Sequence, residues 1–328
     1  MRQARLALGM GVLGLGVSAL PAQALVISPI FDASIIRLPN AAVVEQAFRT
    51  AASAYDAAIS SPAVVNVNVS WGKVGGYALP SGALGASIDP LYGYFNYSQI
   101  KSWLPATDVL PPTPAAVNRY VLPSAEAKAL GLLPAKATAS DGYIGFGLAP
   151  ANYSFTAATT KAGTYNFIDV AEHELDEVLG RISGIGDGFA TPFDLFRYTR
   201  IAAGKPAPSF SATATAYFSV NGGATQDGPP FNSTRSGDRG DWYTTPASTD
   251  IQDAFLYPGT TPFLSPADLD GLRVLGWTTG GNPYQQLVAR AGAAHFALVA
   301  EPASIALFGA ALAMLVPWTA RRRRLAPA

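Results

Sequence analysis

The sequence predicts an α+β domain in which a mixed, twisted sheet is covered by a long packing helix and by a second, chemically active helix. The chain has 328 residues, of which 49% are hydrophobic, so it can bury a sizeable core. Apolar residues recur at helical spacing over residues 40–58 and alternate at strand spacing over residues 65–71. A His-Glu-x-x-Glu sequence at residues 173–177 lies within a further predicted helix.

Composition removes several classes of function. The 22 basic and 22 acidic side chains balance at pH 7, which gives no electrostatic reason to expect a nucleic-acid partner. The chain contains no cysteine, which excludes disulfides, zinc–thiolate sites, thiol nucleophiles and iron–sulfur clusters. Any chemistry must therefore use histidine, aspartate, glutamate, tyrosine or serine.

The amino-terminal end has the order of a secretory signal. Arg2 and Arg5 precede an apolar run over residues 6–20, and small residues follow up to Ala24. This order predicts a signal peptide over residues 1–24, removed by signal peptidase, rather than a buried or amphipathic first helix. The body, predicted as one domain over residues 25–280, then works outside the cytoplasm.

The carboxyl-terminal end predicts a membrane-sorting tail over residues 301–324, joined to the body by a linker over residues 281–300 that contains His295. An apolar stretch at residues 305–320 precedes the arginine cluster at residues 321–324, which the positive-inside rule keeps in the cytoplasm. Sixteen residues rise only about 24 Å as a helix, against a hydrocarbon core of about 30 Å. A transient inner-membrane anchor fits this length better than a permanent one.

This tail resembles the PEP-CTERM sorting signal of exported Gram-negative bacterial proteins, with Ala300 where the motif usually has its first proline. The resemblance implies cleavage by an exosortase-type enzyme and a final location at the cell surface or outside the cell. A plain carboxyl-terminal anchor is the alternative.

The first elements of the body follow from periodicity. Residues 25–31 predict a strand, the apolar stripe at residues 44–58 predicts a helix with one buried face, and residues 65–71 predict a half-buried strand. A proline-rich insertion is predicted near residues 98–140, and a short strand at residues 143–146 follows it. Aromatic residues at 92–97 favour packing under a loop over stacking on a sugar.

Two further helices are predicted from their capping residues. Asp169, with Glu172 three residues later, predicts the start of a helix that continues to residue 179 before Gly180. Ser265 predicts the start of a final helix, which ends at Gly276.

The first of these helices predicts a metal site. His173 and Glu177 stand four residues apart, so one turn of helix places both on one face, where they can ligate one divalent ion. Glu174 is positioned to act as a general base on a water molecule beside that ion. Zinc is the expected ion, although a carboxylate-rich site also suits manganese or another divalent cation. The alternative is a solvated acidic face in which Glu177 pairs with Arg181 across one turn.

The segments at residues 173–181 and 194–198 resemble a metzincin-like metalloprotease family of exported bacterial proteins that carry PEP-CTERM tails. His173, Glu174 and Gly180 match the metzincin string H-E-x-x-H-x-x-G-x-x-H, with Glu177 in place of the second histidine. The resemblance implies a zincin-type fold and hydrolysis of peptide bonds.

The same resemblance places Ser183 at the third-ligand position, where a neutral hydroxyl is a poor ligand. Asp187, in a glycine-rich turn, is the nearest carboxylate that can replace it, although a purely structural turn residue is the alternative. Phe196 stands where metzincins have a turn methionine. Tyr198 then matches the tyrosine that stabilises the developing oxyanion in some metzincins, and a packed strand tyrosine is its alternative.

An aspartate-rich segment contains Asp227, Asp238 and Asp241. Its spacing does not match an EF-hand loop, so a turn-rich surface is favoured over a calcium site.

These observations together predict an exported zinc metallopeptidase that acts on a protein or peptide substrate. The alternative is a catalytically inactive surface or exopolysaccharide-matrix protein sorted by its tail.

Overall fold

The structure, a computed structural model, describes residues 24–279 and 299–300, except residues 113–116, 118, 148, 157–159, 202–203 and 235. The predicted signal peptide and most of the predicted linker and sorting tail lie outside the described residues. Within the described residues, no helix combines the length and apolar character needed to cross a membrane.

The described part of the chain is a mixed α/β structure. Its α-helices are α1 (Ala33–Ile36), α2 (Ala41–Ala58), α3 (Tyr97–Trp103), α4 (Ser124–Ala129), α5 (Phe167–Val178) and α6 (Pro266–Val274). Its strands are β1 (Val26–Phe31), β2 (Val64–Trp71), β3 (Lys73–Val74), β4 (Tyr77–Ala78), β5 (Gly85–Ile88), β6 (Leu91–Phe95), β7 (Tyr120–Pro123), β8 (Gly142–Phe146), β9 (Tyr153–Ser154), β10 (Tyr165–Asn166), β11 (Arg197–Arg200), β12 (Pro206–Pro208), β13 (Tyr217–Phe218), β14 (Phe255–Leu256) and β15 (Val299–Ala300). Short 3₁₀ helices span Pro150–Asn152 and Phe193–Phe196.

The main sheet has the strand order β1-β2-β8-β5. β1, β2 and β8 run parallel, and β5 is antiparallel to β8 at one edge. The predicted strands at residues 25–31, 65–71 and 143–146 are confirmed as β1, β2 and β8. Buried and half-buried side chains alternate along β2, because only one face of the strand enters the core. This alternation made the strand predictable from the sequence.

The predicted packing helix is confirmed as α2. Its buried side chains include Val44, Phe48 and Tyr55, the stripe that the helical spacing identified. The Tyr55 hydroxyl donates a hydrogen bond of 2.6 Å to the backbone carbonyl of Glu172, which joins α2 to α5. The long helix therefore both covers the core and positions the helix that carries the candidate site.

An aromatic cluster anchors the start of α5. The Phe167 ring lies 4.3 Å from the Phe146 ring and stacks on Trp71 with centroids 6.0 Å apart. Because Phe167 is the first residue of α5, these contacts fix that end of the helix against β2 and β8.

The region predicted as a proline-rich insertion contains regular structure. α3, β7 and α4 lie within or overlap it, and β7 pairs with β6. The aromatic residues nearby mainly pack within the protein: Tyr97 is buried, with its hydroxyl donating to the carbonyl of Pro111, and Phe95 meets Trp103 edge to face at 4.7 Å.

Candidate metal centre

The N-cap of α5 lies three residues earlier than predicted. Asn166, and not Asp169, is its N-cap, because the Asn166 side chain accepts the hydrogen bond from the backbone N–H of Ile168. Asp169 instead lies in the first turn, where a carboxylate interacts favourably with the helix dipole. The capping prediction was wrong because Asn166, upstream of Asp169, already caps the free N–H groups of the first turn.

Three long-range hydrogen bonds hold the backbone of α5 and its carboxyl end. Besides the bond from Tyr55, the Gln252 side chain donates to the carbonyl of His173 at 3.2 Å, and the Trp277 indole donates to the carbonyl of Leu179 at 2.8 Å. Gly180 then ends the helix with φ +113°, a conformation that side-chain-bearing residues rarely adopt. The functional side chains therefore project from a backbone fixed at both ends.

His173 is held in one tautomer by the protein backbone. Its side chain is buried, and Nδ1 lies 2.7 Å from the carbonyl oxygen of Ile251. Because a carbonyl only accepts hydrogen bonds, Nδ1 carries the proton, and Nε2 of the neutral ring carries a lone pair. A backbone carbonyl on the second ring nitrogen is the usual partner of a histidine that ligates a metal.

The Nε2 atom faces carboxylates from two different parts of the chain. Glu177 Oε1 lies 3.7 Å away, and Asp241 Oδ1 lies 3.9 Å away. Both separations exceed the length of a hydrogen bond. They are closer to the separation of about 3.4 Å expected between two atoms that ligate one tetrahedral zinc ion.

Glu174 lies beside these groups, in the position predicted for it. Ligand atoms of His173, Glu174 and Glu177 all lie within 4.8 Å of one another. The Glu174 side chain crosses the backbone of β5 at Gly85, where an added Cβ would lie 2.3 Å from Glu174 Oε1. Glycine at position 85 is therefore what permits a glutamate to pack between α5 and the edge strand.

Burial and mutual repulsion perturb the carboxylates around Glu177. Burial raises the pKa of Glu177 well above its ordinary value, and the charges of Glu174, Asp238, Asp241 and Asp89 raise it further. The Glu177 carboxylate accepts one hydrogen bond, from the Ser87 hydroxyl at 2.8 Å.

The pKa of Asp241 is raised by burial to about 6, against the opposing effect of the nearby Arg181 charge. A cation placed among these groups would relieve the repulsion and favour their ionised forms.

The alternative of a solvated acidic face is wrong. Glu177 is 1% exposed and Arg181 is 0% exposed, so neither forms a surface pair. Arg181 lies between aromatic rings, 4.2 Å above Trp242, and its Nε is 3.5 Å from Asp176. The favourable spacing of Glu177 and Arg181 did not predict their partners, because the tertiary structure buries both on different sides of the helix end.

The structure does not bring Asp187 into the cluster around His173. Asp187 is exposed in its glycine-rich turn, and it belongs to neither group of close ligand atoms found among the described residues. Partial desolvation and the nearby charge of Asp238 raise its pKa, with Arg239 opposing them. Ser183, at the third-ligand position of the metzincin string, donates its hydroxyl to Asp194 and helps to shape this turn.

Tyr198 lies in β11 with its side chain directed elsewhere. Its hydroxyl donates to the carbonyl of Val109 at 3.3 Å. Burial, together with the neighbouring Tyr97 and Tyr217, raises its pKa to about 12. Phe196, in the position of the turn methionine, is fully buried against Phe218. Tyr198 therefore has the packed role that the sequence left open as its alternative, and Phe196 is part of the core.

The sequence analysis missed two carboxylates in this centre. Asp238 and Asp241 were interpreted as a turn-rich surface, whereas they are 6% and 1% exposed and lie within 4.8 Å of Glu177. Asp227, in contrast, is a partly exposed turn residue that accepts a hydrogen bond from the backbone of Val220. The density of aspartates was the available signal, but nothing in their spacing showed that the loop folds back onto α5.

The side chains of the centre are buried. A cavity beside His173, lined by Asp169, Asp250 and Ile251 among others, has room for about one water molecule. Glu174 is 0% exposed and His173 is 3% exposed. The arrangement is suited to holding a cation away from bulk water, and a substrate would require the surrounding loops to separate.

Comparison of the chain with protein families, with curated proteins and with solved structures finds no match in any of the three.

Proposed function

We propose that this protein is a divalent-metal-dependent hydrolase of the metallopeptidase type, with zinc held by His173, Glu177 and Asp241. The orientation of His173 carries the proposal, since the Ile251 carbonyl directs Nε2 toward two buried carboxylates. Asp241 takes the third-ligand role that the sequence had suggested for Asp187. The donor set of one imidazole and two carboxylates suits zinc in a catalytic site with an open position.

The chemistry follows from the neighbouring groups. A zinc ion in this site would act as a Lewis acid toward a water molecule and a substrate carbonyl. Glu174, beside the ligands, would accept a proton from the water and return it to the leaving amine. Two carboxylate ligands would offset the charge of the ion more fully than neutral histidines do, so the water would be less acidic and slow hydrolysis is expected.

The proposal extends to a metzincin-like fold and to export. The parallel core sheet with an antiparallel edge strand beside α5 supports the first of these. Residues 1–24 and 301–324 support the second, through signal peptidase, a transient inner-membrane stage and exosortase-type cleavage. Peptides or proteins outside the cytoplasm are the proposed substrates.

Glu174→Gln tests the catalytic part of the proposal. The variant keeps the size of the side chain and removes its ability to accept a proton, so peptide hydrolysis should fall by about 10²–10⁴-fold. Zinc content and thermal stability should stay close to those of the wild type. Cleavage of a peptide library, followed by mass spectrometry, measures the loss.

The exposed Asp187→Asn is the matched control, and it should retain the wild-type rate. Equal hydrolysis by the Glu174→Gln variant and the wild type would contradict the catalytic role of Glu174.

A second candidate is an inactive surface or matrix protein in which the cation only stabilises the fold. The burial of His173 and Glu174 favours it. It predicts that zinc raises the melting temperature while no peptide in the library is cleaved above the background given by Glu174→Gln.

A further inference from the structure

Glu177 belongs to two groups of ligand atoms. The first group contains His173 and Glu174, and the second contains Asp238 and Asp241. Within each group the ligand atoms lie within 4.8 Å of one another. A carboxylate has two oxygen atoms, so one glutamate can contribute to both groups.

A further buried carboxylate lies close to the second group. Asp89 directly follows the edge strand β5 and is 3% exposed. Burial raises the pKa of Asp89, and the charge of Asp238 raises it further. The charge of Asp89 in turn adds to the effect of burial on the pKa of Glu177, so the three carboxyl groups lie within electrostatic range of one another.

Two buried carboxylate oxygen atoms in this region lack a hydrogen-bond donor in the described part of the chain. Asp89 Oδ1 and Asp241 Oδ1 are buried and accept no hydrogen bond from the described part of the chain. Buried polar atoms without hydrogen bonds are rare in native proteins, and an ion is one of the few explanations for them. The other oxygen of Asp241 accepts a hydrogen bond from the backbone N–H of Asp238 at 3.2 Å, which orients the carboxylate.

The negative charge that the buried carboxylates of this region can carry also exceeds the positive charge of one divalent ion. The region contains five buried carboxyl groups, those of Asp89, Glu174, Glu177, Asp238 and Asp241. One divalent ion and the neighbouring Arg239 offset three negative charges. Arg181 acts on Asp241 only from a distance, because its ion pair is with Asp176. Buried charges are stable only when they are paired or ligate metals.

We propose that the centre holds two divalent cations that share Glu177 and Asp241, the second one bound by Glu177, Asp238 and Asp241 with Asp89 beside them. This inference rests on the proposed function, because Glu177 and Asp241 are ligands of the first ion as well. The second site offers only oxygen atoms, which selects a hard cation such as manganese, magnesium or calcium over zinc. Paired ions about 3.5–4 Å apart, joined by shared ligands, are a recurrent arrangement in hydrolytic enzymes.

The test is the number of cations bound by the intact chain. The metal-free protein is loaded with zinc, then titrated with manganese and dialysed, and both metals are measured by elemental mass spectrometry. The expected result is two cations per chain. With manganese alone, the electron paramagnetic resonance spectrum should show an exchange-coupled pair.

Variants separate the two sites. Asp238→Asn should reduce the count from two to one, and Asp89→Asn should weaken manganese binding at least tenfold. The exposed Asp187→Asn is the matched control and should keep both ions. Circular dichroism establishes that each variant is folded.

The outcomes distinguish this inference from the proposed function. One cation per wild-type chain at saturation, unchanged by Asp238→Asn and without an exchange-coupled signal, would overturn the second site and leave the first intact. No cation at all in the folded wild type would overturn both.

Discussion

Two buried charged regions of this protein are built in opposite ways. At one, Asp141 accepts hydrogen bonds from Lys128 Nζ at 2.5 Å, from the backbone of Asn66 at 2.8 Å and from the Ser124 hydroxyl at 3.1 Å. At the other, no lysine or arginine in the described part of the chain forms an ion pair with Glu177, Asp89 or Asp241.

The protein therefore places a cation in direct contact with Asp141, whereas in the second region Arg239 offsets the charge of Asp238 alone. Both regions are removed from water, so solvation does not explain the difference. The first has the organisation of a structural ion pair. The second has the organisation of a site whose positive charge comes from outside the chain.

The largest effect is expected at the internally paired region. Lys128→Met leaves the Asp141 carboxylate buried without its charge partner, and also removes the bonds from Nζ to the carbonyls of Val64 and Ala137. The free energy of unfolding should fall by about 3–5 kcal/mol. Chemical denaturation measures the loss, which should be the same with and without zinc.

Lys136→Met is the control for this prediction, since Lys136 is exposed and its replacement should have little effect. A loss of stability in Lys128→Met that zinc reverses would remove the contrast between the two regions.

A smaller effect is expected in the region around Glu177, and its sign depends on whether metal is present. Without metal, Glu177→Gln removes a carboxylate that repels its neighbours, so the melting temperature should stay the same or rise. With zinc at 100 times its dissociation constant, the wild type gains about 2.7 kcal/mol, which corresponds to a shift of about 5–10 °C. The variant should lose that shift, as differential scanning calorimetry with zinc and with chelator will show.

Glu45→Gln, on the outer side of α2, is the control and should retain the full zinc shift. Strong destabilisation of Glu177→Gln in chelator would indicate that the carboxylate contributes to the fold rather than to a cation site.

Features set by neighbouring residues could be predicted from the sequence, whereas features set by the tertiary structure could not. Periodicity predicted α2 and β2, and the capping residue Ser265 predicted α6, because these signals depend on neighbouring residues. The pairing of His173 with Glu177 was predictable for the same reason, since one turn of helix sets it.

The proposed third ligand could not be predicted from the local sequence. Asp241 reaches His173 only because the loop around residues 238–252 folds back onto α5 through the Ile251 and Gln252 contacts. Asp187, closer in sequence, lies in a turn whose geometry is set by Asp194 instead. Distance along the chain was therefore a poor guide to the third ligand.

The smallest effect concerns pH in the metal-free protein. Burial raises the pKa of Asp253 from 3.8 to about 8 and that of Asp241 from 3.8 to about 6. Between about pH 4 and about pH 8 the folded state thus binds more protons than the unfolded state, so its stability falls as pH rises. Melting temperatures in chelator should decrease across this range by a few degrees.

Asp253→Asn should flatten this dependence, whereas Asp270→Asn, at a position that is 44% exposed, should leave it unchanged. A melting temperature that rises with pH in chelator would show that the carboxylates are stabilised by groups within the protein.

The most direct test of a cation site around Glu177 is anomalous X-ray diffraction from crystals of the protein grown with zinc, recorded above and below the zinc edge. The account predicts an anomalous peak bounded by His173 Nε2, Glu177 and Asp241, with Glu174 beside it. Full-length density for these side chains with no anomalous peak between them would contradict it.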